Sequence, residues 1–303
     1  MKSSPASSDS THDWGAAQTR LGSAIGAARR QPHLVVPFLK NSITRRIAGP
    51  LLSRWRPGSL ALFHTGRCGS TVLTDLISQH PEVHWDGETY GRVVAGIKAD
   101  GLNRNEVTFD PVDYVAARMK RSGRSWFGYD LKFSHVTEFG MSIEQYIDGI
   151  EQVGVSKIIA LRRRNYLRQV ISACNGGRRG HFHLMQGQSR ELLPPLELEP
   201  HELTVDLYNG SLLEHFRRWD DLYSLLDQLA GTTALSLTYE DHIEHDPAVA
   251  FELVTEFLGL KPFKPTIRLQ RSNPEPVSAL LANYDEIHHY LASSSYAWMT
   301  EDN

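Results

Sequence analysis

Ser59-Leu60-Ala61-Leu62-Phe63-His64-Thr65-Gly66-Arg67-Cys68-Gly69-Ser70-Thr71-Val72-Leu73 decides the fold of this chain. A β-prone, largely apolar run stops at a glycine, and apolar positions resume at Val72, Leu73, Leu76 and Ile77 with the spacing of a helix face. A buried strand is therefore expected to pass through a tight turn into a helix. The first turn of such a helix carries unpaired N–H groups with the positive end of the helix dipole behind them, and this arrangement binds an anion without any side chain. Gly66 and Gly69 allow the close turn, Ser70 and Thr71 add hydroxyl donors, and Arg67 adds a guanidinium that can fork onto two oxygens.

Single residues weigh against two familiar loops. A Walker A loop places a lysine directly before the Ser/Thr to reach the terminal phosphates, and Gly69 occupies that place. A phosphatase-type loop needs an arginine at the sixth position after the cysteine, where Thr74 follows Cys68.

The chain of 303 residues is long enough for a large core, and its 41% hydrophobic content and formal net charge of −3 are those of a soluble globular protein. Nothing overall points to a nucleic-acid partner. Positive charge is instead gathered locally, at Arg162, Arg163, Arg164, Arg168, Arg178 and Arg179, which suits a small anionic ligand better than a polyanion. Cys68 and Cys174 are the only cysteines, so neither a disulfide framework nor a four-ligand zinc site is expected, and no metal is implied. With no signal peptide and no bilayer-length apolar run in sight, the expected location is cytoplasmic. Residues 1–56 read as an N-terminal extension, Ser-rich and disordered at first. Leu39, Ile43, Ile47 and Leu51 then recur four apart among basic residues, the pattern of an amphipathic helix that could touch a membrane surface, although Gly49-Pro50 interrupts it.

Residues 57–303 read as one α/β domain. Glu88 is expected on a loop after a short apolar piece, Asp110 to Arg121 as a helix, Trp126 to Phe133 as a strand and Ile143 to Val153 as an amphipathic helix. Lys157 to Leu161 has the continuous apolar character of a buried parallel strand and runs through Arg162-Arg163-Arg164-Asn165 into another helix. Asn175 to Pro200 is expected to be irregular, Leu212 to Leu229 a long helix, Ala234 to Thr238 a strand and Pro247 to Leu258 a helix. Strands alternating with helices, without sustained hairpin signals, give a P-loop-like three-layer domain with a mostly parallel central sheet flanked by helices. In such sheets ligands sit beyond the carboxyl ends of the strands, where the glycine loop, Glu88, the end of the Trp126 strand and the arginine cluster would meet.

Phe63 to Leu73 resembles the 5′-phosphosulfate-binding loop of sulfotransferases that use 3′-phosphoadenosine 5′-phosphosulfate (PAPS), in the bacterial carbohydrate branch where arginine replaces the loop lysine. Arg163-Arg164-Asn165-Tyr166-Leu167-Arg168-Gln169-Val170-Ile171-Ser172 is similar to the family's 3′-phosphate motif, and Arg271-Ser272-Asn273-Pro274 resembles its late basic segment that closes over the nucleotide. The resemblance spans roughly Ser59 to Leu291. It implies a metal-free transfer of sulfate from PAPS, as co-substrate, to a hydroxyl of a sugar or glycolipid. The donor would be held by Gly66, Arg67, Cys68, Gly69, Ser70 and Thr71 at one end, by Arg163 or Arg164 with Ser172 at the other, and by Arg271. Glu88 corresponds to the family's glutamate base; His135 in Lys132-Phe133-Ser134-His135 is the competing base, and Lys132 a sulfate or phosphate contact.

A P-loop-type nucleotide phosphotransferase and a non-catalytic nucleotide-binding protein are the alternative functions. The missing loop lysine, and arginines where a metal-binding aspartate would end the second strand, weigh against the former. Acceptor specificity is expected in Tyr90 to Asp110 and Asn175 to Pro200, while the sequence is silent on oligomeric state.

Overall fold

The computed structural model describes Gly49, residues 51–99 and residues 109–301. The start expected to be disordered, and most of the amphipathic helix expected between Pro37 and Pro57, lie outside the described residues. Past Ser53–Trp55, a single 3-10 turn, the half-exposed Trp55 ring is flanked by the guanidinium groups of Arg54 at 3.9 Å and Arg124 at 5.3 Å.

In chain order the helices are α1 (Ser70–Ser78), α2 (Gly91–Ala99), α3 (Pro111–Met119), α4 (Phe133–Glu138), α5 (Ile143–Gln152), α6 (Tyr166–Arg179), α7 (Leu212–Ala230), α8 (Tyr239–His242), α9 (Pro247–Phe257), α10 (Val277–Leu280) and α11 (Tyr284–Leu291). The strands are β1 (Ser59–His64), β2 (Val83–Glu88), β3 (Trp126–Lys132), β4 (Lys157–Arg162), β5 (Leu184–Met185), β6 (Leu203–Val205), β7 (Tyr208–Gly210), β8 (Ala234–Thr238) and β9 (Leu269–Gln270).

Among the described residues β1, β2, β3, β4 and β8 form a five-stranded, all-parallel sheet in the order β2-β3-β1-β4-β8. Buried β1 lies at its centre and alternates its side chains between two cores, as the period of two requires. Ala61 and Phe63 pack with Val115 and Met119 of α3, Tyr146, Ile147 and Ile150 of α5, and Tyr223 and Leu226 of α7. Leu60 and Leu62 pack with Leu73, Leu76 and Ile77 of α1 and with Ala250, Phe251 and Val254 of α9. Burying each of the larger apolar side chains contributes roughly 1.5–3 kcal/mol, so both faces must be covered, and helices cover both. The chain is an α/β domain with a parallel central sheet flanked by helices, as the alternation of elements predicts.

A third core, where Leu167, Val170 and Ile171 of α6 meet Leu212, Phe216 and Trp219 of α7 and Ile287 of α11, fixes α6. Local signals place these helices. Asn165 accepts from the Arg168 N–H at the start of α6, and Ser211 with Glu214 forms a capping box at the start of α7.

Three expectations need correction. Glu88 is not on a loop but is the last residue of β2, because β2 continues past an irregularity between Trp85 and Glu88 to pair Glu88 with Asp130. Asn175 to Pro200 is not irregular throughout: α6 runs on to Arg179, and Leu184–Met185 pairs antiparallel with Leu269–Gln270. A hairpin also exists, β6 with β7, turning at Asp206-Leu207; its three-residue strands are too short to show alternation.

Candidate functional site

The carboxyl ends of the central strands are level, since His64 pairs with Lys132 on one side and Leu161 on the other. From this edge the chain turns through Gly66 (φ 80°), Arg67 (φ 52°) and Gly69 (φ 87°), and the Leu73 N–H donates to the Gly69 carbonyl at 3.2 Å to begin α1. Among the described residues no hydrogen bond engages the backbone N–H groups of Cys68, Gly69, Ser70, Thr71 or Val72. These are the orphan donors of a helix start. A Cβ on Gly69 would lie 2.9 Å from Tyr239 Cδ2 and 3.0 Å from Ile243 Cγ2, so the loop has no room for the Walker A lysine. The Cys68 side chain is fully buried in the α1–α9 core, which leaves its backbone N–H as the donor it offers.

The loop is held from beneath. Gly66 N–H donates to His64 Nδ1 at 2.9 Å, and His64 Nε2 faces Asp130, 3.5 Å away. Asp130, itself buried, accepts from the Trp85 indole N–H at 3.0 Å. From the other side Gln169 Nε2 donates to Thr65 Oγ1 at 2.8 Å, and the Tyr223 hydroxyl, 3.2 Å from Thr65 Oγ1, donates to the Leu161 carbonyl at 2.7 Å. Sequence reasoning missed this support; its one trace is an aspartate in the otherwise apolar middle of β3.

A cavity of about 390 Å³ opens beside the loop, walled by Arg67, Gly69, Ser70 and Thr71 on one side and by Arg163, Arg168, Ser172 and Arg271 on others. The three consecutive arginines diverge. Arg162 Nη2 donates to both carboxylate oxygens of Asp227 at 2.8 Å, and Arg164 is bidentate to Asp241 at 2.6 and 3.0 Å. Only Arg163 of the three lines the cavity. Arg163 as a whole is 7% exposed; its guanidinium lies 4.4 Å over the Tyr239 ring and donates to the Arg67 carbonyl at 3.4 Å, while its Nε has no partner among the described residues. Arg67 reaches across the cavity, donating from Nε to Ser172 Oγ at 3.2 Å and from Nη2 to the Phe182 carbonyl at 2.9 Å. Arg271 pairs with Glu244 at 2.7 Å.

Glu88, Lys132 and His135 form a group outside that cavity wall, toward the β2 edge. Glu88 Oε1 lies 3.3 Å from His135 Nε2 and 3.7 Å from Lys132 Nζ. The hydrogen bond from His135, working against burial and helped by Lys132, holds the Glu88 carboxyl down to about 2. Burial works against the Lys132 ammonium, but Asp206 at 3.2 Å and Glu88 outweigh it and raise its pKa. The Lys132 chain passes the loop, its Cε 3.5 Å from where a Gly66 Cβ would be. Asp206, which also accepts from the Ser134 hydroxyl, is a residue that sequence reading did not single out.

Along the sheet edge the order is thus carboxylate (β2), lysine (β3), N–H cradle (β1) and arginine (β4). Among the described residues no group of three or more His, Cys, Asp or Glu is arranged to hold a metal ion, and no helix is long and apolar enough to cross a membrane. No protein-family model and no curated protein sequence matches the chain. Among solved structures it is similar to a sulfotransferase from Alicyclobacillus acidocaldarius, with a TM-score of 0.44 and 15% sequence identity over 78% of this chain and 91% of that one.

Proposed function

We propose that the protein transfers the sulfuryl group of PAPS to a hydroxyl of a carbohydrate or glycolipid. The observation that carries this reading is the single cavity whose walls hold two separate anion binders, the N–H cradle of α1 and the buried Arg163 with Ser172. The Arg163 guanidinium lines the cavity, and charge-assisted hydrogen bonds from it to a phosphate are the strong kind. PAPS, with a 5′-phosphosulfate and a separate 3′-phosphate, fits two such holders at once.

In this reading Arg163 and Ser172 take the 3′-phosphate, and Arg271 closes the far wall. The N–H groups from Cys68 to Thr71, with the Ser70 and Thr71 hydroxyls, hold the 5′-phosphate and stabilise the charge that gathers on it as the sulfur–oxygen bond breaks. Arg67 exchanges Ser172 and the Phe182 carbonyl for the donor. Lys132 faces the transferring group, and Glu88 accepts the proton of the acceptor hydroxyl as its oxygen bonds to sulfur. The products are a sulfate ester and the desulfated nucleotide, PAP. Sulfuryl transfer, like phosphoryl transfer, asks the protein mainly for in-line positioning and charge stabilisation.

Calorimetry with PAP, followed by turnover of radiolabelled PAPS with hydroxylated acceptors, tests the reading. PAP binding with sulfate transfer is the expected result; absence of PAP binding, or magnesium-dependent ATP binding in its place, would overturn it.

A further inference from the structure

A second hollow lies beside Thr65, at the start of the glycine loop, and shares no lining residue with the donor cavity. It measures about 330 Å³ and lies between α4, the β6–β7 hairpin and α7, with Thr65, Ser134, Thr137, Asp206 and Trp219 in its wall. Lys132 runs past the loop, with its Cε beside Gly66 and its ammonium 3.2 Å from Asp206. We infer that this hollow is the acceptor subsite, that it takes a neutral sugar, and that Asp206 accepts a hydrogen bond from one of the sugar's hydroxyl groups. The inference rests on the sulfotransferase reading and extends it to the acceptor.

Position is the first argument. Asp206 and Glu88 both lie within 4 Å of the Lys132 ammonium, at 3.2 and 3.7 Å, so a hydroxyl held at Asp206 lies beside the proposed sulfate contact, which the proposed base also faces. Backbone geometry is the second. Asp206 takes the left-handed conformation (φ 54°) that the tight β6–β7 turn requires, and that turn carries its carboxylate to Lys132 and Ser134.

Chemistry supplies the third argument. The wall carries one carboxylate, Asp206, and one guanidinium, Arg218, so its charges balance and favour a neutral acceptor. Asp206 already accepts from Lys132 and Ser134, and Thr137 donates to the Ser134 carbonyl, but these oxygens keep lone pairs that a sugar hydroxyl can use and an aromatic ring cannot. A sugar offers hydroxyl groups to these residues and a C–H face to Leu207 and Trp219. The hollow also continues, through the shared Tyr208, Arg218 and Leu222, into an open groove of about 400 Å³ along α7, which gives room for a second sugar unit.

The test uses ligand-observed NMR on the full chain saturated with PAP, with methyl glucoside, methyl galactoside and N-acetylglucosamine as probes. At least one glycoside is expected to bind the wild type. Thr137→Trp, which fills the hollow, should abolish that signal, and Asp206→Asn should weaken it tenfold or more. Because PAP lacks the sulfate that Lys132 would face, calorimetric PAP affinity should be unchanged in both variants, and this also certifies their folding. If PAP binds but no glycoside does, or if both variants keep the wild-type glycoside affinity, the acceptor inference is wrong while the donor assignment stands. If PAP fails to bind the wild type, the donor assignment fails and takes this inference with it.

Discussion

Nε2 of His135 lies 3.3 Å from Oε1 of Glu88, and His135 Nδ1 accepts the Lys132 N–H at 3.4 Å. The neutral tautomer that satisfies both contacts carries its proton on Nε2 and has its lone pair occupied. His135, almost fully buried, is therefore placed to orient the carboxylate, and Glu88, 41% exposed, is the one of the two that can meet an acceptor. Glu88→Gln is expected to lower turnover about 10²–10⁴-fold, the range of a lost general base, with PAP affinity retained. His135→Ala should cost less and change the pH profile. Without the His135 hydrogen bond the carboxyl returns toward its ordinary 4.5, so an acid limb emerges there that the wild type, with Glu88 held down to about 2, lacks. A pH–rate profile showing the same acid limb in both proteins would contradict this pairing.

The same shift makes a stability prediction. Glu88 has a folded pKa of about 2 against an ordinary 4.5, so it stabilises the fold fully above 4.5, and the stabilisation fades as pH falls through 2. Melting temperatures of wild type and Glu88→Gln should differ at pH 6 and converge as the pH falls from 4.5 toward 2. A constant gap across that window would mean that the ion pair does not set the shift.

Arg163 and Arg164 are adjacent in sequence, and the structure predicts opposite behaviour on mutation. Arg163→Met removes a buried cation with an unpartnered Nε, so the ligand-free protein should melt at or above the wild-type temperature. PAP affinity should nonetheless fall about 10- to 100-fold, from the loss of charge-assisted hydrogen bonds of roughly 1.5–3 kcal/mol. Arg164→Ala breaks a half-exposed pair with Asp241, a type of contact contributing about 0–1 kcal/mol, and should leave PAP affinity unchanged. Isothermal calorimetry and thermal melts on both variants check the contrast; equal losses of affinity would return the 3′ role to the pair jointly.

Much of this architecture was legible because its signals are local. β1 with its glycine loop, the apolar stripe of α7 and the run of β8 each carry a period or a composition that few other structures share, and their observed bounds fall within a residue or so of expectation. The arginine that would enter the cavity was not fixed, because that depends on where β4 ends: with Arg162 in the strand, Arg163 turns inward and Arg164 meets Asp241. What stayed hidden depends on partners distant in sequence. His64 and Asp130 meet only because β1 and β3 are neighbours, and Asp206 reaches Lys132 only through a hairpin more than seventy residues later. The pairing of β5 with β9, only two residues in each strand, leaves no pattern to read.

Gly69 offers a last test, one that separates the backbone of the cradle from its charges. Its φ of 87° is strained for any residue with a Cβ, and that Cβ would stand 2.9 Å from Tyr239 and within 3.1 Å of two Ile243 atoms. Gly66 shares the positive φ but meets only Lys132, at an ordinary 3.5 Å. Gly69→Ala should therefore destabilise the protein by about 1–3 kcal/mol in urea unfolding and weaken PAP binding, because relieving the contact shifts the N–H groups at the start of α1. Gly66→Ala should pay only for the backbone conformation, about 1–2 kcal/mol. Wild-type PAP affinity in a folded Gly69→Ala protein would show that the anion is held by Arg67 and the hydroxyl groups rather than by the helix start.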